Sequence, residues 1–217
     1  MAKDFLRVEV TRQLAPVLSD SGFTRAQPKL FLRRHGDLLH VLSLTGSWSG
    51  GQSFTLTFAA ALLCDPFFQL HSLKVGHAHQ RGPEEPCVPW EGRTEASAAA
   101  AITSATGVVR DIALPWFERT RDLPGYVFAY LANPNNGVDD LSLAVAMARA
   151  GECDRPWWIC ERLSPRVSDG NEHEMARRER ALELQAAISR DSVQSLLDHW
   201  RDQAISGAKL AGLADRA

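Results

Sequence analysis

Histidines spaced for one face of a strand are the first chemically suggestive feature of this sequence. His71, His77 and His79 lie close together, and His77 and His79 are separated by a single residue. In an extended strand such a pair projects from the same side, as two nitrogen ligands of one metal ion must. Cys64 or Cys87 is available to complete a shell. No C-x-x-C, no H-E-x-x-H and no pattern of acidic ligands accompanies them, so they read more simply as polar residues at a strand edge running into a loop. No metal and no other cofactor is expected.

The segment Gly46-Ser47-Trp48-Ser49-Gly50-Gly51-Gln52 is the next candidate. Its glycines can expose backbone N–H groups, and Trp48 suits a stacking platform or a partner-facing anchor. It is not the phosphate-binding G-x-x-x-x-G-K-[ST] pattern. Nor is it the G-x-S-x-G elbow of a serine nucleophile, because Trp48 stands at the centre where serine is needed. Asp65 could pair with Glu84 or Glu85 only through folding. Asn171-Glu172-His173-Glu174 lacks the second histidine of a zinc-binding helix, and acidic residues at a helix start suit the dipole. Trp90, Trp116, Trp157, Trp158 and Trp200 can line a pocket, but tryptophan in a helical layer more simply packs. No residue is assigned a catalytic role. Trp48, Gln52, His77, His79 and Trp90 are the residues best placed for binding.

The elements that must position these residues follow from periodicity. Residues 3–19 carry Leu6, Val10, Leu14, Val17 and Leu18 on one helical stripe, with Pro16 predicting a kink and Ser21-Gly22 a stop. Lys29–Arg34 and Leu38–Thr45 predict a hairpin around His35-Gly36-Asp37. A turn over Gly46–Gln52 leads to the clearest strand, 53–62, where Phe54, Leu56, Phe58, Ala60 and Leu62 alternate with smaller residues. A fourth strand is expected over Leu70–His77, and a proline-rich loop over Gly82–Glu91. Thr94 predicts the cap of an alanine-rich helix reaching Arg119, interrupted at Gly107 and Pro115. Further helices are expected over Asp122–Leu131, from Asp140 to Gly151, from Asp154 to Leu163, over Glu172–Arg190, and from an Asp191 cap through Trp200. The turn Asn133-Pro134-Asn135-Asn136-Gly137 separates the first two. The pair spanning 140–163 has the form of one tetratricopeptide-like hairpin, too few units for an array.

The 217 residues are 45% apolar and 23% charged, as in ordinary folded domains. Basic and acidic residues number 24 and 26, giving a net charge of −2, with no basic face for nucleic acid. Arg177, Arg178 and Arg180 are interleaved with Glu174, Glu179 and Glu183, the pattern of a solvated helix. No stretch approaches the ~20 apolar residues of a membrane span, and the start lacks a signal-peptide core. Cytoplasmic location and free thiols at the four cysteines are the expectation.

With these residues in view, the chain resembles a bacterial family of domains of unknown function, the one numbered 4304. The resemblance rests on the order of Ser21-Gly22-Phe23-Thr24-Arg25, Leu30-Phe31-Leu32-Arg33-Arg34, the strand Leu38–Thr45, Phe54-Thr55-Leu56-Thr57-Phe58, Leu114-Pro115-Trp116-Phe117-Glu118 and the helix pair from Asp140 to Leu163. It covers about residues 3–165. The chain departs from the family pattern at Leu44-Thr45-Gly46-Ser47, where a Gln-Lys/Arg-Ser stretch is anticipated. The resemblance implies the layout of elements and no activity.

The expected fold is α+β: a small antiparallel sheet flanked by helices over 1–90, followed by a C-terminal helical layer over 91–217 packed on it. The expected role is binding to a protein partner, with neither nucleic acid nor membrane involved. A metal-assisted hydrolase built on the three histidines and a small-ligand carrier lined by tryptophan are the competing readings.

Overall fold

The computed structural model describes residues 4–46, 53–70, 75–79, 90–132, 140–163, 172–210 and 212–213, with the backbone alone for 75–79 and 173. The fold is α+β, a small antiparallel sheet flanked by helices and followed by a C-terminal helical region. The chain divides into two compact units. One comprises Met1–Ala60, Gly76–Arg119 and Leu213–Ala217, the other Ala61–Val75 and Thr120–Gly212.

The first unit begins with α1 (Phe5–Glu9), capped by Asp4, whose carboxylate accepts the Arg7 N–H at 3.0 Å. The helix passes through one π turn, Val10–Leu14, into α2 (Ala15–Asp20). The Ala15 N–H reaches the Val10 carbonyl, five residues back, immediately before Pro16. Proline supplies no N–H, and its ring collides with a carbonyl four residues earlier in a regular helix. A widened turn absorbs that conflict where the sequence predicts a kink. Of the predicted stripe, Leu6, Val10, Leu14 and Leu18 are buried and Val17 is half-buried. Gly22 ends the rod at φ 85°, with Phe23 N–H on Leu18 O and Gly22 N–H on Ser19 O, a Schellman cap.

Among the described residues the sheet has six strands: β1 (Thr24–Gln27), β2 (Leu30–His35), β3 (Leu38–Gly46), β4 (Ser53–Leu62), β5 (Val75–His79) and β6 (Trp90–Glu91). Their order is β1-β2-β3-β4-β5, and β6 pairs with β4. Strands β2 and β3 form the predicted hairpin, running in register from Leu30↔Ser43 to His35↔Leu38. Strand β4 matches the predicted 53–62, but from Phe58 to Leu62 it is buried on both faces rather than one. Two strands depart from expectation. Strand β1 is four residues long and mostly exposed, so it carries no alternation. Strand β6 falls in the predicted loop, where Phe54↔Trp90 and Ser53↔Glu91 pair. The expected fourth strand survives as Val75–His79, and residues 71–74 lie outside the described residues, as do those of the predicted turns at 47–52 and 133–137.

Thr94 caps α3 (Glu95–Val108) with a full capping box: Ser97 N–H donates to Thr94 Oγ1 at 3.1 Å, and Thr94 N–H to Ser97 Oγ at 2.9 Å. Gly107 does not break this helix. A second π turn, Val109–Ala113, likewise ends two residues before a proline, Pro115, and leads into α4 (Leu114–Arg119). Helix α1 and the first π turn pack on α3.

The second unit contains α5 (Leu123–Ala132), α6 (Leu141–Arg149), α7 (Asp154–Leu163), α8 (Glu172–Ser189) and α9 (Val193–Gly207). Helix α6 is buried on every side from Leu141 to Ala148 and touches the other four. Arg149 at its end donates to Gln194 at 2.8 Å and to Asp198 at 2.8 Å on α9. Gly151 closes α6 at φ 89° with a second Schellman cap. The sequence-based cap of α9 needs correction: Asp191, at φ 55°, is the left-handed residue ending α8, and Ser192 precedes α9 without a side-chain cap. Gln194 donates instead to the Ala148 carbonyl at 3.2 Å. No helix among the described residues is long and apolar enough to cross a membrane.

Candidate functional site

Of the residues singled out for binding, Trp48 and Gln52 lie outside the described residues, as does His71. His77 and His79 occupy alternate positions of β5, which places them on one face of that strand. Trp90 is buried; its ring stacks on Phe54 at 5.4 Å and its indole N–H donates to Ser104 Oγ at 3.2 Å. Among the described residues, no three His, Cys, Asp or Glu side chains converge as metal ligands.

The first unit gathers a different polar group. Arg33 on β2 sits directly across from His40 on β3, so the two-residue turn at Gly36-Asp37 sets their pairing. Arg33 is 5% exposed and His40 0%. The guanidinium reaches His40 Nδ1 from Nε at 3.4 Å and from a terminal nitrogen at 3.1 Å. The other terminal nitrogen donates to the Ser21 carbonyl at 3.0 Å, next to the end of α2, and to Glu118 Oε1 at 2.9 Å on α4. Its face lies over Phe23 at 4.9 Å and Phe117 at 5.8 Å. The imidazole of His40 packs 4.8 Å from Phe117 and 5.4 Å from His35. Guanidinium only donates, so His40 Nδ1 must accept, and the imidazole proton belongs on Nε2. A buried guanidinium is tolerable because carbonyl, carboxylate, imidazole and aromatic faces together replace water. One side chain thereby ties the end of α2, the hairpin and α4.

The second unit has its own buried polar centre. Asp65 accepts the Phe67 N–H at 2.8 Å on one oxygen and a short hydrogen bond from the Ser142 hydroxyl on the other. Asp140, the cap of α6, accepts the Ser142 N–H at 3.0 Å and pairs with Arg177 at 3.0 Å. Tyr126 and Tyr130 are buried nearby. Burial pushes the Tyr126 phenol well above its usual range, and the negative fields of Asp65, Cys64 and Asp140 act in the same direction. Burial likewise raises Tyr130, followed by the field of Asp140 and a hydrogen bond to it. Both phenols are held protonated. Ser142 is 1% exposed, so its hydroxyl is a tie between α6 and the stretch after β4 rather than a nucleophile open to substrate. Burial also pushes the Cys160 thiol up to about 12, the reverse of a reactive cysteine.

Among its exposed residues the second unit presents several large apolar side chains. Phe128 on α5 is 76% exposed, Trp158 on α7 60%, and Leu131 on α5 42%; Met175 and Leu182 on α8 are also exposed. Pro124, Phe128 and Leu131 fall on one stripe of α5, a helix with no charged residue. Of the exposed large apolar side chains among the described residues, Val8 alone belongs to the first unit. The tryptophan and helix-pair patterns in the sequence mark this region, but periodicity does not distinguish Phe128 from a core residue.

A family model described as "Domain of unknown function (DUF4304)" matches residues 14–119. This is narrower than the 3–165 that the sequence motifs suggest and leaves the pair α6–α7 outside. No curated protein and no solved structure matches the chain. The match ends at Arg119, where the second stretch of the first unit also ends, and it contains Arg33, His40 and Glu118. Over residues 14–119 the chain is thus similar to the DUF4304 family of domains of unknown function.

Proposed function

We propose that the protein is a non-enzymatic interaction module of the cytoplasm that uses its helical unit to hold a protein partner. The exposed stripe of Pro124, Phe128 and Leu131 on a helix with no charges carries this reading. Aromatic anchors of this kind concentrate binding energy at protein interfaces, and a solvated Phe and Trp in one helical unit otherwise cost solubility. The net charge of −2, with both signs interspersed, favours a protein over a nucleic acid. Trp48, Gln52, His77 and His79 are proposed as further contact residues. The test is quantitative affinity capture from cytosol of the native source, with the full chain and its Phe128→Ser/Leu131→Ser variant. A stoichiometric partner held by the wild type and reduced tenfold or more by the variant is the expected result. Recovery of no partner at micromolar concentration, or equal recovery by both proteins, sinks the reading.

A further inference from the structure

The uncharged stripe on α5 has a shape and a charge pattern that suit its own copy. Resting on the interaction role read from that stripe, we propose that the partner it holds is a second copy of this chain, with α5 lying antiparallel on α5 about a twofold axis close to Phe128. Tyr126 and Tyr130 form the buried side of α5, which packs on α6. The opposite side carries Phe128 at its centre, 76% exposed. Down the helix axis, at about 100° per residue, Pro124 and Leu131 flank that ring on one side and Gly125 and Ala132 on the other. An antiparallel twofold pair lays like flank against like flank. Gly125 of one copy then falls beside Ala132 of the other, where neither residue keeps the backbones apart. The two Phe128 rings settle over those small residues, and Pro124 and Leu131 meet along the other flank.

Charge selects this occupant over an unrelated one. A twofold contact sets residues near their own counterparts, so a charge on the stripe meets its like. From Leu123 to Ala132 there is none. A partner presenting charge of either sign would leave it facing an uncharged helix, desolvated and without an ion to pair with. Antiparallel helices also oppose their dipoles. The whole chain carries a net charge of −2, so two copies repel each other little. The helix has 10 residues and is therefore about 15 Å long. One such pair buries less than the ~1,200 Å² at the lower end of standard interfaces, which makes the dimer a weak, reversible one.

Sedimentation equilibrium of the full chain, from about 1 to about 200 µM, reads the mass directly. The mass is expected to rise from 23.9 kDa toward twice that value as concentration increases. Phe128→Arg sets two cations across the axis and is expected to weaken association about tenfold or more. Trp158→Ser removes an exposed ring on α7, outside the stripe, and is expected to leave association within about twofold of the wild type. Both positions are exposed, so neither variant should move the urea midpoint appreciably. A wild type that stays at 23.9 kDa throughout, a dimer that survives Phe128→Arg, or equal weakening by Trp158→Ser overturns the proposal. Affinity capture separates this failure from failure of the interaction role itself. A monomer that still holds another protein, and loses it in Phe128→Ser/Leu131→Ser, overturns the self-pairing alone. A monomer that holds nothing overturns both.

Discussion

Tyr126 and Tyr130 are the two tyrosines of the chain, and both are buried beside carboxylates with ring centroids 6.3 Å apart. Their phenols are raised by burial first and by neighbouring negative charge second. The folded state therefore holds these protons more tightly than the unfolded chain, whose phenols titrate at about 10. Stability is unaffected below that value and falls as pH climbs through it. The expected spectrum shows no phenolate absorbance while the chain is folded, then a cooperative rise as alkali unfolds it. A gradual titration centred near pH 10 in the folded protein contradicts this. The same buried centre predicts the effect of Ser142→Ala. That change removes the hydroxyl bonded to Asp65 and leaves a carboxylate oxygen without its donor. A cost of about 1–3 kcal/mol in urea unfolding is expected. None of this centre was readable before folding, since Asp65 and Ser142 stand 77 residues apart. The Arg33–His40 pair was readable in principle: a charged residue after Leu30-Phe31-Leu32 and a tight two-residue turn together fix its cross-strand partner.

At the scale of elements, helix ends separate what local sequence encodes from what it leaves open. Glycine at 22 and 151 predicts helix stops, and both glycines adopt φ near 85–89° in Schellman caps. The same cap forms with Asp191 at φ 55° and Lys209 at φ 56°. Aspartate suits both a helix start and the left-handed conformation, so the residue type alone does not choose between them. The prolines behave similarly. Pro16 and Pro115 each mark a disturbed helix, but a kink and a π turn answer the same missing N–H, and packing of α1 on α3 favours a continuous rod. Strands β1 and β6 escaped notice because four exposed residues and a two-residue pair carry no period. The caps yield a paired prediction. Gly151→Ala has open space for its Cβ but forces a side chain into φ 89°, so it should cost about 1 kcal/mol. Asp191→Gly relieves the corresponding strain and should be neutral to stabilising by up to about 1 kcal/mol. Thermal unfolding that shows the two substitutions shifting stability in the same direction refutes the assignment of these caps.

The division of the whole molecule follows interactions distant in sequence rather than chain order. Residues 61–75, which run from the end of β4 to the start of β5, belong to the helical unit. Within that unit the described part of the stretch is fixed by Asp65, through the Ser142 hydroxyl at the start of α6. Cys64, the preceding residue, is fully buried, and so is Cys160 on α7. Two thiols thus report on two parts of one unit, the connector and the helical array. Cys160 is held near 12 by burial, so neither its accessibility nor its thiolate fraction permits modification in the native state. If the unit opens as one cooperative body, a thiol reagent should label Cys64 and Cys160 over the same range of urea concentration, with half-buried Cys153 reacting first. In Ser142→Ala the connector loses its tie to α6, and labelling of Cys64 should then move to lower urea while Cys160 stays nearer its original midpoint. Site-resolved mass spectrometry of the labelled peptides reads both thiols at once. Early labelling of Cys64 in the wild type would show that residues 61–75 open independently of the helices, and an unchanged Cys64 profile in Ser142→Ala would show that the hydrogen bond is not what secures them.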